Sequence, residues 1–229
     1  MKKNRRTINK FGDSGQPVRD WCAVVDRASK YDLNDYDHVL FSYHGLPIRH
    51  VDKVYEGGLC ADRHCDHGVT TENQYCYKAS CFETTRLLAE KLGLRKTDYT
   101  VCFQSRLDKN WLEPFSDKVV EAWAKQGAKK LLVFPPAFTA DCLETVIEIG
   151  DEYQQIFTEN GGEKIQLVES LNDHPLWVSC LKKLVLDSWL AGAPIMVLFA
   201  MYLLIKEFLS LLWIARLTGK TQSISNSYW

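Results

Sequence analysis

Short, continuous apolar runs alternate along this chain with longer stretches whose apolar residues recur at helical spacing. The runs span His38–Tyr43, Tyr99–Gln104, Leu131–Phe134 and Ile165–Val168, each too short for a helix and each predicted as a buried strand. The first helical stretch covers Val18–Tyr31, with Val18, Trp21, Val24, Val25 and Ala28 apolar. Cys81–Leu92 follows with Phe82, Leu87, Leu88 and Leu92, closed by Gly93 at a C-terminal cap position. Further helices are predicted over Ser116–Gln126, ending at Gly127, over Asp141–Asn160, stopped by Gly161 and Gly162, and over His174–Leu186. Strands alternating with helices predict an α/β fold with a parallel four-stranded sheet and helices on both faces.

Two of the strand tips carry candidate chemistry. The first run stops at His44, where Gly45 and Pro47 forbid regular continuation. Ligands of open α/β sheets bind outside the carboxyl ends of the strands, so His44 stands where a working side chain would stand. A surface loop histidine with no task is the plainer reading. Leu131–Phe134 has the same grammar, running into Pro135, Pro136, Phe138, Asp141, Cys142 and Glu144.

At these residues a family resemblance enters. Ser42-Tyr43-His44-Gly45-Leu46-Pro47 together with Phe138-Thr139-Ala140-Asp141-Cys142-Leu143-Glu144-Thr145 resembles ferrochelatase, the enzyme that inserts ferrous iron into protoporphyrin IX to give protoheme. Phe103-Gln104-Ser105-Arg106 with Trp111-Leu112, and Glu169-Ser170-Leu171-Asn172, agree in order, and together the blocks cover about Val18 to Val185. The family is built from two similar α/β domains with the porphyrin between them, and this chain resembles the second. The resemblance implies a Rossmann-like chelatase domain over residues 17–187, with His44 as proton acceptor and metal contact and Glu144 as the catalytic glutamate across the cleft. It also implies Trp111 as a pocket wall, and Tyr43 and Phe138 are candidate walls beside it. Glu144, Glu148 and Glu152 recur every four residues, so on a regular helix they form one acidic file for a cation or proton, with Glu148 and Asp141 as further metal candidates. Plainer readings stand beside these: a helix-start acid favoured by the dipole for Glu144, a solvated face for Glu152, a helix cap for Asp141 and core packing for the aromatics.

Composition narrows the function classes. A length of 229 residues holds one domain with extensions, and a net charge of −1 lacks the basic excess that nucleic-acid binding needs. Eight cysteines and a basic start with no apolar run behind it point to a cytoplasmic, reducing setting. Cys60–Cys65 and Cys76–Cys81 form two C-x4-C pairs ten residues apart within a 54–81 insertion. Four such thiolates suit a [2Fe–2S] cluster, which the resemblance to bacterial ferrochelatases with an internal four-cysteine segment implies; the spacing fits structural zinc as well, with His64 or His67 as alternative ligands. Residues 1–16 are expected to be a polar, unstructured start.

The tail, 188–229, opens with eighteen uncharged residues, Ser188–Ile205, long enough to cross a bilayer. A membrane anchor is expected there, against an amphipathic or dimer-forming helix or the scrambled end of a gene fragment. The expected partners are protoporphyrin IX, ferrous iron, and a complementary N-terminal half or a second copy of this chain. The rival functions are a cobalt chelatase of the same fold and a non-catalytic membrane-anchored iron–sulfur module.

Overall fold

The computed structural model of the chain describes residues 19–183, 185 and 186. It divides into the compact units Met1–Val178 and Ser179–Trp229, and the elements named below lie in the first. The expected polar start and the hydrophobic tail with its helix lie outside the described residues. No helix among the described residues is long and apolar enough to cross a membrane.

The four apolar runs are strands: β1 (His38–His44), β2 (Tyr99–Gln104), β3 (Lys130–Phe134) and β4 (Lys164–Leu167). They form one sheet in the order β2-β1-β3-β4, with every neighbouring pair parallel. The helices are α1 (Arg19–Ala28), α2 (Ile48–Asp52), α3 (Tyr77–Leu92), α4 (Ser116–Lys125), α5 (Leu143–Val146) and α6 (Gln154–Glu159), and a further helical stretch begins at 175.

Both faces of the sheet are buried, which is why its strands read as continuous apolar runs rather than alternating ones. Side chains on a strand alternate between faces. Val39, Phe41 and Tyr43 join Val101, Phe103, Leu132 and Phe134 in a cluster closed by Ala28 of α1 and Ala79 and Leu88 of α3. Leu40, Cys102, Leu131 and Val133 join a second cluster with Val120 and Ala124 of α4, Ile149 and Phe157. Phe41, fully buried, stacks on Phe134 at 5.1 Å and meets the edge of Tyr99 at 5.6 Å. Burying a side chain of that size contributes about 1.5–3 kcal/mol, so the sheet centre is where the fold is hardest to pull apart.

Three elements differ from expectation. Helix α3 starts at Tyr77, not Cys81, because Tyr77–Ser80 continue the helical pattern with Ala79 fully buried; Cys76 is its N-cap residue. The short α2 follows Pro47, where no helix is expected. The 141–160 stretch is not one regular helix: between α5 and α6, Glu148–Tyr153 is a π-helical turn, with Glu152 N donating to Ile147 O at 2.9 Å, five residues back. A π turn holds more residues than an α turn, so the four-residue spacing of Glu144, Glu148 and Glu152 no longer aligns them. Glu148 turns inward, while Glu152 is exposed.

Candidate active site

The strand order itself creates a crevice. From β1 the chain crosses to β2 on one side, and from β3 to β4 on the other, so the two connections part between β1 and β3. His44 is the last residue of β1 and sits at this parting. Gly45 N donates to the Gln104 carbonyl at 2.8 Å, which carries the chain sharply off the strand. A Cβ at position 45 would lie 2.8 Å from that oxygen and 3.2 Å from Trp111 Cε3, so this close approach requires glycine.

His44 Nδ1 donates to the Gly45 carbonyl at 2.6 Å. A carbonyl only accepts, so this bond fixes the tautomer and leaves the Nε2 lone pair for a proton or a metal. The imidazole is flanked by Trp111, 6.3 Å away between ring centroids, and by Phe138, 6.1 Å away, each tilted by about 50°. Trp111 is held by its bridge to Pro47 and by Leu112 N donating to Leu46 O at 3.0 Å. Phe138 closes a turn on Pro135 at 3.0 Å. Sequence positions 44, 111 and 138 are thus brought together.

Glu144 lies in the first turn of α5, which follows the loop after β3. Its own backbone N–H, the Cys142 thiol and the nearby His44 hold its carboxyl below the usual range, against a small cost of burial. The start of α5 is fixed on both sides. Thr145 N donates to Cys142 O at 3.1 Å, and Cys142 N donates to Thr145 Oγ1 at 2.9 Å. On the inner side, Gln104 Nε2 donates to the Glu144 carbonyl at 2.6 Å and to Glu148 Oε2 at 3.0 Å.

With this geometry in view, comparison with known proteins is decisive. The family model described as Ferrochelatase matches residues 2–188. The chain belongs to the ferrochelatase family. Similar proteins named ferrochelatase include those of Ectopseudomonas mendocina, 46% identical over 71% of this chain and 48% of the relative, and Pseudomonas fluorescens strain SBW25, 46% identical over 71% and 49%. The ferrochelatase of Coxiella burnetii strain Dugway 5J108-111 is 45% identical over 66% of this chain and 44% of its own. The chain spans about half the length of the curated relatives it matches.

Three expected site residues take other work. Tyr43 does not wall the crevice. Strand alternation sends it to the opposite face from His44, where it is 3% exposed and its hydroxyl is 2.9 Å from Thr85 Oγ1. Asp141 is a clamp: Oδ1 accepts from Ser170 N at 3.0 Å and Oδ2 from Asn172 Nδ2 at 2.7 Å. Burial works against its charge, but those donors still hold its carboxyl below the usual range. Glu148 accepts from Ser105 N at 2.7 Å, Ser105 Oγ at 2.5 Å, Gln104 Nε2 and Tyr153 OH at 2.7 Å. Four donors on one carboxylate leave it little capacity for a metal, and Asp141 is similarly engaged.

Gln104, Ser105 and Asn172 stand in the resembling blocks, but sequence reasoning gave them no role. Gln104 is 1% exposed and also accepts from Ser42 Oγ at 2.8 Å, so one side chain ties β1, β2 and the α5 start. Ser105 and Asn172 adopt left-handed backbone, φ 60° and φ 50°. Asparagine tolerates that conformation well, which suits position 172 to a tight loop. Its N–H donates to Thr139 O and its Oδ1 accepts from Asp141 N, both at 2.9 Å.

The cysteines form a second centre, on the α3 side of the sheet. The thiols of Cys60, Cys65 and Cys76 lie 3.5–3.7 Å apart, all buried, with the Tyr55 hydroxyl 3.2 Å from Cys65 Sγ. Three buried donors converging on one point fit a thiolate-bound metal group. Cys81 is also buried and lies against Tyr77, outside that three-thiol group. His64 and His67 are not part of it either; their rings meet edge to face at 5.6 Å. Cys76 ionises most readily: the Cys60 hydrogen bond pulls it down to about 5, burial opposing and Tyr55 assisting.

Proposed function

We propose that this domain supplies the metal-inserting half of a ferrochelatase, placing ferrous iron in protoporphyrin IX to give protoheme. The observation that supports it most is the crevice in which the His44 imidazole stands between Trp111 and Phe138 with Glu144 near. Insertion requires two pyrrole N–H protons to leave as the metal–nitrogen bonds form. His44 Nε2 takes a pyrrole proton, because its other nitrogen is committed to Gly45. Glu144, kept ionised, holds the cation near the macrocycle or receives the second proton. The indole of Trp111 and the ring of Phe138 give the tetrapyrrole apolar walls and exclude water. The second wall of the cleft is proposed to come from a complementary N-terminal half or from a second copy of this chain.

In the test, the chain is combined with the half of a relative that it does not span, then given protoporphyrin IX and ferrous or zinc ion. Metallation is followed in the Soret and visible bands. No spectral change, or an unchanged rate in His44→Ala, refutes the reading. A cobalt chelatase of the same fold is separated by comparing iron with cobalt turnover.

The cysteine centre is proposed to hold a [2Fe–2S] cluster through Cys60, Cys65, Cys76 and Cys81. When bound, such a group supplies a redox-active brace across the insertion. The convergence of three buried thiols supports a thiolate-held metal, and the resemblance to bacterial ferrochelatases with an internal four-cysteine segment favours the cluster over zinc. A tetrahedral zinc with bonds of about 2.3 Å separates its sulfurs by about 3.8 Å, close to the spacing here, so zinc is the specific alternative. Iron and sulfide content against zinc content decides it. Anchoring of the 188–205 run to the cytoplasmic membrane is proposed from its lack of charge, and vesicle co-sedimentation of the full chain tests it.

A further inference from the structure

The cysteine centre and His44 lie on opposite faces of the sheet, yet one side chain joins them. Tyr77 is the first residue of α3, directly after the N-cap residue Cys76. Its hydroxyl donates to the main-chain carbonyl of His44 at 2.8 Å. The same hydroxyl neighbours the Cys81 thiol, so Tyr77 follows one cysteine of the second C-x4-C pair in the chain and meets the other through its side chain. A second bond ties α3 to β1 two turns further on, where Thr85 Oγ1 lies 2.9 Å from Tyr43 OH. Helix α3 thus grips two consecutive residues of β1, and the grip on His44 is the one that starts at the metal-binding thiols.

We infer that Tyr77 is a positioning residue through which the occupancy of the cysteine centre sets the placement of His44. The inference rests on the reading of His44 as the reacting base, but its NMR test does not. A metal held by Cys60, Cys65 and Cys76 pins the N-terminus of α3 to the insertion. Tyr77 has little freedom of its own there, because its α-carbon follows a ligand and its hydroxyl is held by the His44 carbonyl. The pinned hydroxyl holds the His44 carbonyl, and the peptide it belongs to continues into Gly45, whose carbonyl accepts the hydrogen bond from His44 Nδ1. Emptying the centre releases the α3 N-terminus, and the Tyr77 bond loosens with it. The Tyr43–Thr85 bond, deeper in the helix, stays. A metal group held by Cys60, Cys65 and Cys76 would thereby act on His44 without touching the porphyrin.

The experiment uses the full chain, labelled for NMR, and cadmium ion as a thiolate-seeking probe added to one equivalent. Cadmium binding is read from its own thiolate-type resonance, and the response from the His44 carbonyl carbon, which reports the hydrogen bond it accepts. The expected result is a His44 carbonyl shift on loading in the wild-type chain and its loss in Tyr77→Phe, with cadmium still bound. Thr85→Val, which breaks the other α3–β1 bond, keeps the shift. In the reconstituted enzyme, Tyr77→Phe lowers kcat by about fivefold, the size of one hydrogen bond, with KM for porphyrin unchanged. A His44 carbonyl indifferent to cadmium, or one that responds equally in Tyr77→Phe, overturns the inference. Equal loss of the response in Thr85→Val also overturns it, because Tyr77 would then be ordinary packing.

Discussion

Gln104 Nε2 donates to the main-chain carbonyl of Glu144 at 2.6 Å, so the buried tip of β2 fixes where the α5 carboxylate begins. The same amide reaches Glu148, and its oxygen accepts from Ser42. His44 and Glu144 therefore share one frame, although they arrive from different strands. Replacing Gln104 by Leu keeps the volume but strips buried partners of their bonds. An unsatisfied buried polar group costs about 1–3 kcal/mol, so urea denaturation should show a loss of that order. A loss below the error of the measurement would show that the hub is dispensable.

The Asp141–Asn172 clamp holds the other side of the same helix start. Asn172→Ala removes two side-chain bonds and leaves a left-handed position to a residue that dislikes it. Asn172→Gly removes the bonds alone. Both variants are expected to speed amide exchange at Cys142 and Thr145, by about tenfold for the loss of roughly 1.4 kcal/mol. Asn172→Asp, which places two carboxylates together, should be at least as damaging. Unchanged exchange in Asn172→Gly would contradict the clamp.

Acid stability depends on His38. This residue is 4% exposed, stacks on Trp123 with centroids 3.8 Å apart, and places Nε2 2.8 Å from Thr100 Oγ1. Burial lowers its pKa from 6.5 to about 4, with Asp98 opposing weakly. The unfolded chain therefore takes up this proton at a higher pH than the folded one. Stability from this group is complete above about pH 6.5 and falls as acid is added toward pH 4. His38→Gln should flatten the slope of unfolding free energy between about pH 6.5 and 5, whatever its effect at neutral pH. A slope identical to wild type would assign the effect elsewhere.

At the cysteine centre, Cys60→Ser, Cys65→Ser and Cys76→Ser should each abolish stoichiometric metal, because these three thiols converge within 3.7 Å. Cys81→Ser separates the two candidate groups. A cluster that needs four thiolates loses its visible absorption in this variant. A mononuclear ion on three thiolates keeps much of its affinity. Metal content and absorption spectra of the purified variants supply both readouts.

Much of the scaffold was legible because it is local. Strands buried on both faces are continuous apolar runs, and Gly45 with Pro47 punctuates β1 within a residue of His44. The place of Glu144 was carried by its flanking block. The rest depends on pairings between distant residues that no local pattern displays. Gln104 meets Glu144 and Glu148 across forty or more positions, and Asp141 meets Asn172 across thirty-one. The π turn at Glu148–Tyr153 broke the acidic file because Glu148 was drawn inward to Ser105 and Tyr153. Tyr43 was different, since alternation along β1 already placed it opposite His44.

The most direct measurement is the initial rate of zinc insertion into protoporphyrin IX by the reconstituted pair, followed in the visible bands for wild type, His44→Ala and Glu144→Gln. Both variants should lose at least about a hundredfold, the usual worth of a positioned acid or base, while porphyrin still binds. Wild-type rates in either one would show that the imidazole and the carboxylate do not serve a common cleft.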